Sequence, residues 1–188
     1  MIDHALWYAS RATGLVTLLL FTTTAVLGAL GAARFATSRW PGFVIAALHR
    51  NVSLVAMGFL TVHVVTAVVD PYAGIGWWDV ILPFGSVYRP LWLGLGAVAG
   101  DLAVAIVLTS LVRTRIGLRT WRVVHWASYA CWPLAVIHGI GTGGADSHVG
   151  WVLGLDAGCV LAVAAALGRR FVVVHADTRV RRGGQVRP

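Results

Sequence analysis

Residues 43–69 read FVIAALHRNVSLVAMGFLTVHVVTAVV, and residues 121–141 read WRVVHWASYACWPLAVIHGIG. Both stretches are apolar over a length that crosses a hydrocarbon layer about 30 Å thick. Each also carries two histidines: His49 and His63 are 14 residues apart, and His125 and His138 are 13 apart. Ionisable side chains at such depth are costly and mark function. Two pairs, each with one early and one late member, predict a two-layered site inside a helical bundle, with room for two stacked haems.

Composition agrees with a membrane setting. Of 188 residues, 58% are hydrophobic and 12% charged, and mean hydropathy is +0.78, outside the profile of a soluble domain. The apolar residues gather in five stretches, roughly 6–31, 43–69, 90–112, 121–141 and 149–167, each suited to one transmembrane helix. The expected fold is all-α, a polytopic membrane helix bundle of about five transmembrane helices. One membrane domain covers residues 1–175, and a basic cytoplasmic tail covers 176–188. The first stretch lacks a basic leader and a clear small-residue cleavage site, so it is expected to remain as a span rather than act as a secretory signal. Cys131 and Cys159 fall inside spans and no Cys-x-x-Cys-His occurs, which argues against a disulfide framework and against covalent haem attachment.

The net charge of +8 comes from 15 basic residues, all Arg, against 7 acidic ones. Most stand beside the spans rather than on a folded basic face, so the expected neighbour is membrane lipid and no nucleic acid. Arg34 and Arg39 precede the second stretch, and Arg113, Arg115, Arg119 and Arg122 separate the third from the fourth. Arg169, Arg170, Arg179, Arg181, Arg182 and Arg187 follow the fifth. By the positive-inside rule these segments are cytoplasmic. The other connections carry Asp70, Asp79 and Asp146 against Arg89 alone, which predicts the N-terminus outside and the C-terminus inside a bacterial-type cytoplasmic membrane. Trp7, Trp40, Trp77, Trp78, Trp92, Trp121 and Trp151 stand near the expected span ends, where amphipathic rings favour the headgroup layer.

With that topology the second and fourth spans run in the same direction, so His49 pairs with His125 and His63 with His138. Fourteen residues at about 1.5 Å each separate His49 from His63 by roughly 21 Å along the axis. They fall about 40° short of four full turns and share a face, whereas 13 residues fall about 140° short. On spacing alone the second pair does not share a face; Pro133 stands between its members, where a kink re-aims the later part of the helix. A neutral imidazole donates a lone pair to haem iron, and two axial imidazoles leave no open coordination position, which favours electron transfer over oxygen binding.

Taken in order, Arg-Ala-Thr-Gly at 11–14, Leu-His-Arg at 48–50, His63, Trp-Arg-Val-Val-His at 121–125 and His138 followed by Gly139 resemble the ferric reductase-like transmembrane domain family. That family includes the membrane part of NADPH oxidases and the haem subunit of bacterial methionine sulfoxide reductase systems. The resemblance covers roughly residues 9–143. It implies that His49 and His125 ligate a cytoplasmic-side b haem, and His63 and His138 an outer one, in the membrane subunit of an oxidoreductase system. Family oxidoreductases often continue into a cytoplasmic FAD- and NAD(P)H-binding module. This chain runs about 20 residues past the fifth stretch and carries no nucleotide-binding Gly-rich loop. The expected donor is therefore a separate redox protein, a membrane quinol, or a flavin held at the surface. Five spans, against six in the larger oxidases, argue against superoxide production.

Arg11, Arg50 and Arg122 stand at the depth of a haem edge and are candidates for pairing with haem propionates. Arg50 and Arg122 equally suit snorkelling to the cytoplasmic headgroups. Arg11 lies about a turn and a half into the first span, where a charge needs an anionic partner, propionate or protein. Asp156 is expected in an interhelical ion pair or hydrogen bond; for Asp101 that reading and a proton or quinone role both stand. Trp126, Tyr129 and Trp132 flank the ligands and are expected to pack. Residues 77–84 are expected to form an interfacial helix over the outer haem, where an acceptor docks. His4, His148 and His175 have no partner at ligand spacing and are expected at the surface. Three further readings stand beside the two-haem one: interhelical hydrogen bonding by the four central histidines, a metal-ion transporter, and a one-haem quinol-linked subunit of a periplasmic reductase. Two separated layers of paired histidines favour haems, because a transporter gathers its ligands at one midplane site.

Overall fold

The computed structural model describes residues 2–183, with side chains described for 5–144 and 147–173. His4, Asp146, His175 and the side chains of the basic tail thus lie outside the described residues. Within them the regular structure is all helical, without strands. The order is α1 (Ile2–Ala32), α2 (Gly42–Val69), α3 (Trp77–Ile81), α4 (Pro90–Leu111), α5 (Arg113–Ile116), α6 (Leu118–Trp126), α7 (Ser128–Gly143), a 3₁₀ turn (Gly144–His148) and α8 (Gly150–Gly183).

Helix ends follow the backbone chemistry. Extended Pro41 precedes α2, and Asp70, also extended, ends it just before Pro71. Pro90 opens α4, where its missing N–H is one the helix does not need. Inside the apolar helices several hydroxyls bond to their own backbone: Thr17 donates to the Thr13 carbonyl, Thr66 to Val62 and Thr109 to Ala105, while Thr24 Oγ1 is buried with no partner among the described residues. Such bonding suits a medium that offers no water.

Among the described residues four helices are long and apolar enough to cross a membrane: 5–32 within α1, all of α2 and α4, and 150–173 within α8. The stretch 121–141, expected as one continuous span, is instead α6 and α7, divided at Ala127. There the Ala127 N–H reaches back three residues to the Val124 carbonyl at 2.9 Å, a 3₁₀-type bond. Each residue wound at three per turn advances about 120° rather than 100°. The interruption therefore recovers part of the angular deficit between His125 and His138, and it lies before Pro133 rather than at it.

Helix α1 packs along α2, α4 along α7, and α8 against α1. Leu18, Val136 and Cys159 meet in the core from α1, α7 and α8, with Trp132 and Leu155 against them. The Trp132 indole N–H donates to Thr22 Oγ1 at 3.0 Å, tying α7 to α1. Cys131 and Cys159 are free and buried, and the Cys131 thiol donates to the Ala99 carbonyl of α4. Leu54, Val55, Phe59, Val62 and Val65 of α2 instead face outward, an apolar surface suited to lipid.

The carboxy-terminal end of α7 is held by two guanidinium groups. Arg11 donates to the Gly143 and Thr142 carbonyls at 2.8 and 3.3 Å, and Arg89 to the Gly141 and Thr142 carbonyls at 2.8 and 3.3 Å. Cations there satisfy otherwise orphaned carbonyls and complement the helix dipole. Because α7 carries His138, the two arginines fix the height of that histidine. Arg89→Ala is expected to cost about 1–2 kcal/mol and to lower the Tm by roughly 2–8 °C in detergent, read by thermal unfolding. An unchanged Tm would show that Arg11 holds the helix end alone.

Candidate functional site

The four central histidines come together in two layers, as the spacing predicts. The rings of His49 and His125 lie 6.2 Å apart, centre to centre, and those of His63 and His138 lie 6.4 Å apart. An imidazole nitrogen binds a metal ion at about 2.0–2.1 Å and stands roughly 1.1 Å from its ring centre, so two imidazoles sharing one axial metal have centres roughly 6.3 Å apart. Both separations fit that arrangement.

Three of the four rings are held in the same way. His63 Nδ1 lies 2.8 Å from the Ser10 carbonyl, His49 Nδ1 lies 3.0 Å from the Thr24 carbonyl, and His138 Nδ1 lies 2.8 Å from the Trp92 carbonyl. A carbonyl only accepts, so each Nδ1 carries the proton and each Nε2 keeps its lone pair. This is the tautomer a metal-ligating imidazole needs, with the second nitrogen oriented by backbone. Each ring also rests on a glycine four residues after its carbonyl partner. A Cβ on Gly14 would lie 3.0 Å from the His63 ring, one on Gly28 would lie 3.2 Å from His49, and one on Gly96 would collide with His138.

The physical reason is helical geometry. Side chains tilt toward the amino terminus, so the residue at i+4 covers the carbonyl of residue i. Glycine at i+4 uncovers it, and the oxygen's second lone pair becomes available to a donor from the next helix. Gly14 and Gly28 are 14 residues apart, the spacing of His49 and His63 on the antiparallel neighbour. Sequence reading missed this, although the matched interval was there to find.

A cavity of about 870 Å³ adjoins the His63–His138 layer. Leu18, Phe21, Leu60 and Val64 supply apolar wall, while Arg11, Asp101 and Asp156 also line it. Neither Asp101 nor Asp156 has a hydrogen-bond or ionic partner among the described residues. The interhelical pairing expected of Asp156 is therefore absent there; the residue is largely covered and lines the cavity instead. Arg11 shares the cavity with both histidines of that layer, bonded to the end of α7 and set over the Trp7 ring at 5.0 Å. Arg50 and Arg122 are exposed, Arg50 next to His49 and Arg122 three residues before His125. His148 is exposed, as expected.

Of the flanking aromatics expected to pack, Trp132 joins the core, whereas Trp126 and Tyr129 are exposed and meet each other edge-on at 5.9 Å. Within residues 77–84 only Trp77–Ile81 is helical; Asp79 caps this turn by accepting the Gly76 N–H at 2.8 Å. Phe84, in the left-handed region at φ 69°, folds its ring onto Gly94 of α4. Trp77 and Asp79 reach the same cavity, while Trp78 is exposed.

A family model described as "Ferric reductase like transmembrane component" matches residues 12–136. No curated protein and no solved structure matches the chain. The matched region holds His49, His63 and His125 and stops short of His138, whose place in the pair rests on geometry.

The glycine seats are testable through haem, which domains of this kind generally bind. Gly96→Val drives a branched side chain into His138 and is expected to weaken haem retention in that layer roughly 10–100-fold, read by haem content after gel filtration. Gly100→Val, on the same helix with open space at its Cβ position, is expected to retain haem like the parent.

Proposed function

The chain belongs to the ferric reductase-like transmembrane component family, and on that premise we propose that it passes electrons across the membrane through two bis-histidine b haems. Membership makes it a multi-pass membrane protein of the oxidoreductase and electron-transport kind. The observation that carries the two-haem reading is the pairing itself: two ring separations of 6.2 and 6.4 Å, with three of the four Nδ1 atoms committed to backbone carbonyls. A bound haem would supply a one-electron couple, and its iron, held between His49 and His125 or between His63 and His138, would suit electron transfer rather than oxygen chemistry.

The protein itself contributes position. Helix α2 is unbroken from Gly42 to Val69, so its two ligands stand about 21 Å apart along the axis, one toward each face. Arg11, in the cavity beside His63 and His138, is assigned the propionates of that layer; Arg50 and Arg122 are assigned those of the other. The basic connections argue for a cytoplasmic His49–His125 layer and an outer His63–His138 layer, in a bacterial-type cytoplasmic membrane. Electrons then pass between a cytoplasmic-side partner, protein, quinol or flavin, and an outer partner near the exposed Trp78.

The transporter reading finds less support. Among the described residues no three or more His, Cys, Asp or Glu side chains are grouped to hold a bare ion. The two layers also stand apart, where transport needs one shared site.

The deciding measurement is a pyridine haemochrome count on detergent-purified protein together with a reduced-minus-oxidised visible spectrum. About two b haems per chain are expected, with His63→Ala and His125→Ala each leaving about one. One haem in the parent would favour the quinol-linked subunit, and none at full haem supply would sink the haem reading.

A further inference from the structure

Three ligands share one kind of seat, and the fourth does not. Helix α4 offers the Trp92 carbonyl and Gly96 to His138; 14 residues further on, the equivalent positions are Ile106 and Ser110. Ser110 is not a bare position. Its hydroxyl donates to the Ile106 carbonyl at 2.6 Å, occupying the very oxygen a glycine would have uncovered. Its Oγ then accepts the Trp121 indole N–H at 3.1 Å. The Trp121 ring stacks on His125, centres 4.8 Å apart and planes inclined by 28°. His125 Nδ1 is buried and meets no hydrogen-bond partner among the described residues.

We propose that Trp121, anchored by Ser110, is the positioning residue for His125, holding by ring stacking the one ligand that no backbone carbonyl holds. This rests on the haem reading above. The chemical consequence is confined to one layer. An Nδ1–H given to a carbonyl raises the basicity of the ligating nitrogen, and His49, His63 and His138 have that help. His125 lacks it and is the weaker donor. A haem held by His49 and His125 would thus have one strengthened and one unstrengthened histidine, which would stabilise its ferric form less and raise its midpoint potential by this contribution relative to a haem with both histidines supported.

The test uses the full haem-loaded chain in detergent, read by haem count, low-spin electron paramagnetic resonance and optical redox titration. The signal remaining in His63→Ala identifies the His49–His125 layer. Trp121→Leu is expected to weaken haem retention in that layer roughly 10–100-fold, leaving about one haem per chain, with the signal and potential of the other layer unmoved. Trp121→Phe keeps a stacking ring without the N–H and is expected to retain both haems while shifting the signal of that layer alone; Ser110→Ala is expected to produce the same shift. The untouched layer reports that the bundle has folded. Trp121→Leu with both haems and both signals as in the parent would overturn the proposal and leave the two-haem reading standing. Loss of both haems together would overturn a local role for Trp121. A parent chain that takes up no haem would bring down the haem reading and this inference with it.

Discussion

A helix carbonyl that has accepted its own N–H still has a second lone pair, and the residue four positions later decides whether anything reaches it. The site depends on this constraint. In an apolar bundle an imidazole N–H has no water to turn to, so a partner must come from the neighbouring helix. Glycine supplies it twice over, by uncovering the oxygen and by letting the ring approach the backbone. The pairings of Ser10 with Gly14, Thr24 with Gly28 and Trp92 with Gly96 are the same device used three times.

That device also explains which helices lie together. Two seats on α1 at the interval of two ligands on α2 fix the register of that antiparallel pair, since sliding by one residue would withdraw both carbonyls at once. Helix α4 is tied to α7 by the Trp92 carbonyl and the Arg89 contacts with the end of α7, and to α6 by the bond between Ser110 and Trp121. Apolar packing cannot do this in lipid, where one hydrocarbon surface resembles another. Small residues and a few directed polar contacts set the geometry.

Much of this was legible in the sequence. The apolar stretches, the grouping of arginines and the pairing of His49 with His125 and His63 with His138 follow from length, charge and a period of 3.6 residues. The break at Ala127 was not legible, because a single tightened turn leaves no compositional mark and Pro133 drew attention further along. The hold of Arg11 on the carbonyl end of α7 was not legible either, because a helix terminus is a partial negative charge that the sequence does not display as a residue. Asp156 was expected to pair between helices, but whether a carboxylate meets a neighbour or a cavity depends on helix rotation, which hydropathy fixes only loosely. Trp121 was read as an interfacial ring because tryptophan at a span end usually is; its bond to Ser110 joins different elements and no local pattern announces it.

The one-residue difference between the two histidine intervals accounts for the exception. Removing one residue from a 14-residue interval turns the later side chain back by about 100°, so two ligands 13 apart cannot both face seats built at 14. The chain keeps His138 on its seat and lets His125 fall off register, with the tight turn at Ala127 recovering part of the rotation. The remaining gap must be bridged by something broader than a carbonyl oxygen and tolerant of angle, and an indole plane meets both needs. A glycine at position 110 would leave the indole without its hydroxyl anchor; a serine there ties up the unused Ile106 carbonyl and holds the ring that His125 rests on. The departure of Ser110 from the glycine pattern and the departure of His125 from the 14-residue interval are thus two halves of one adjustment.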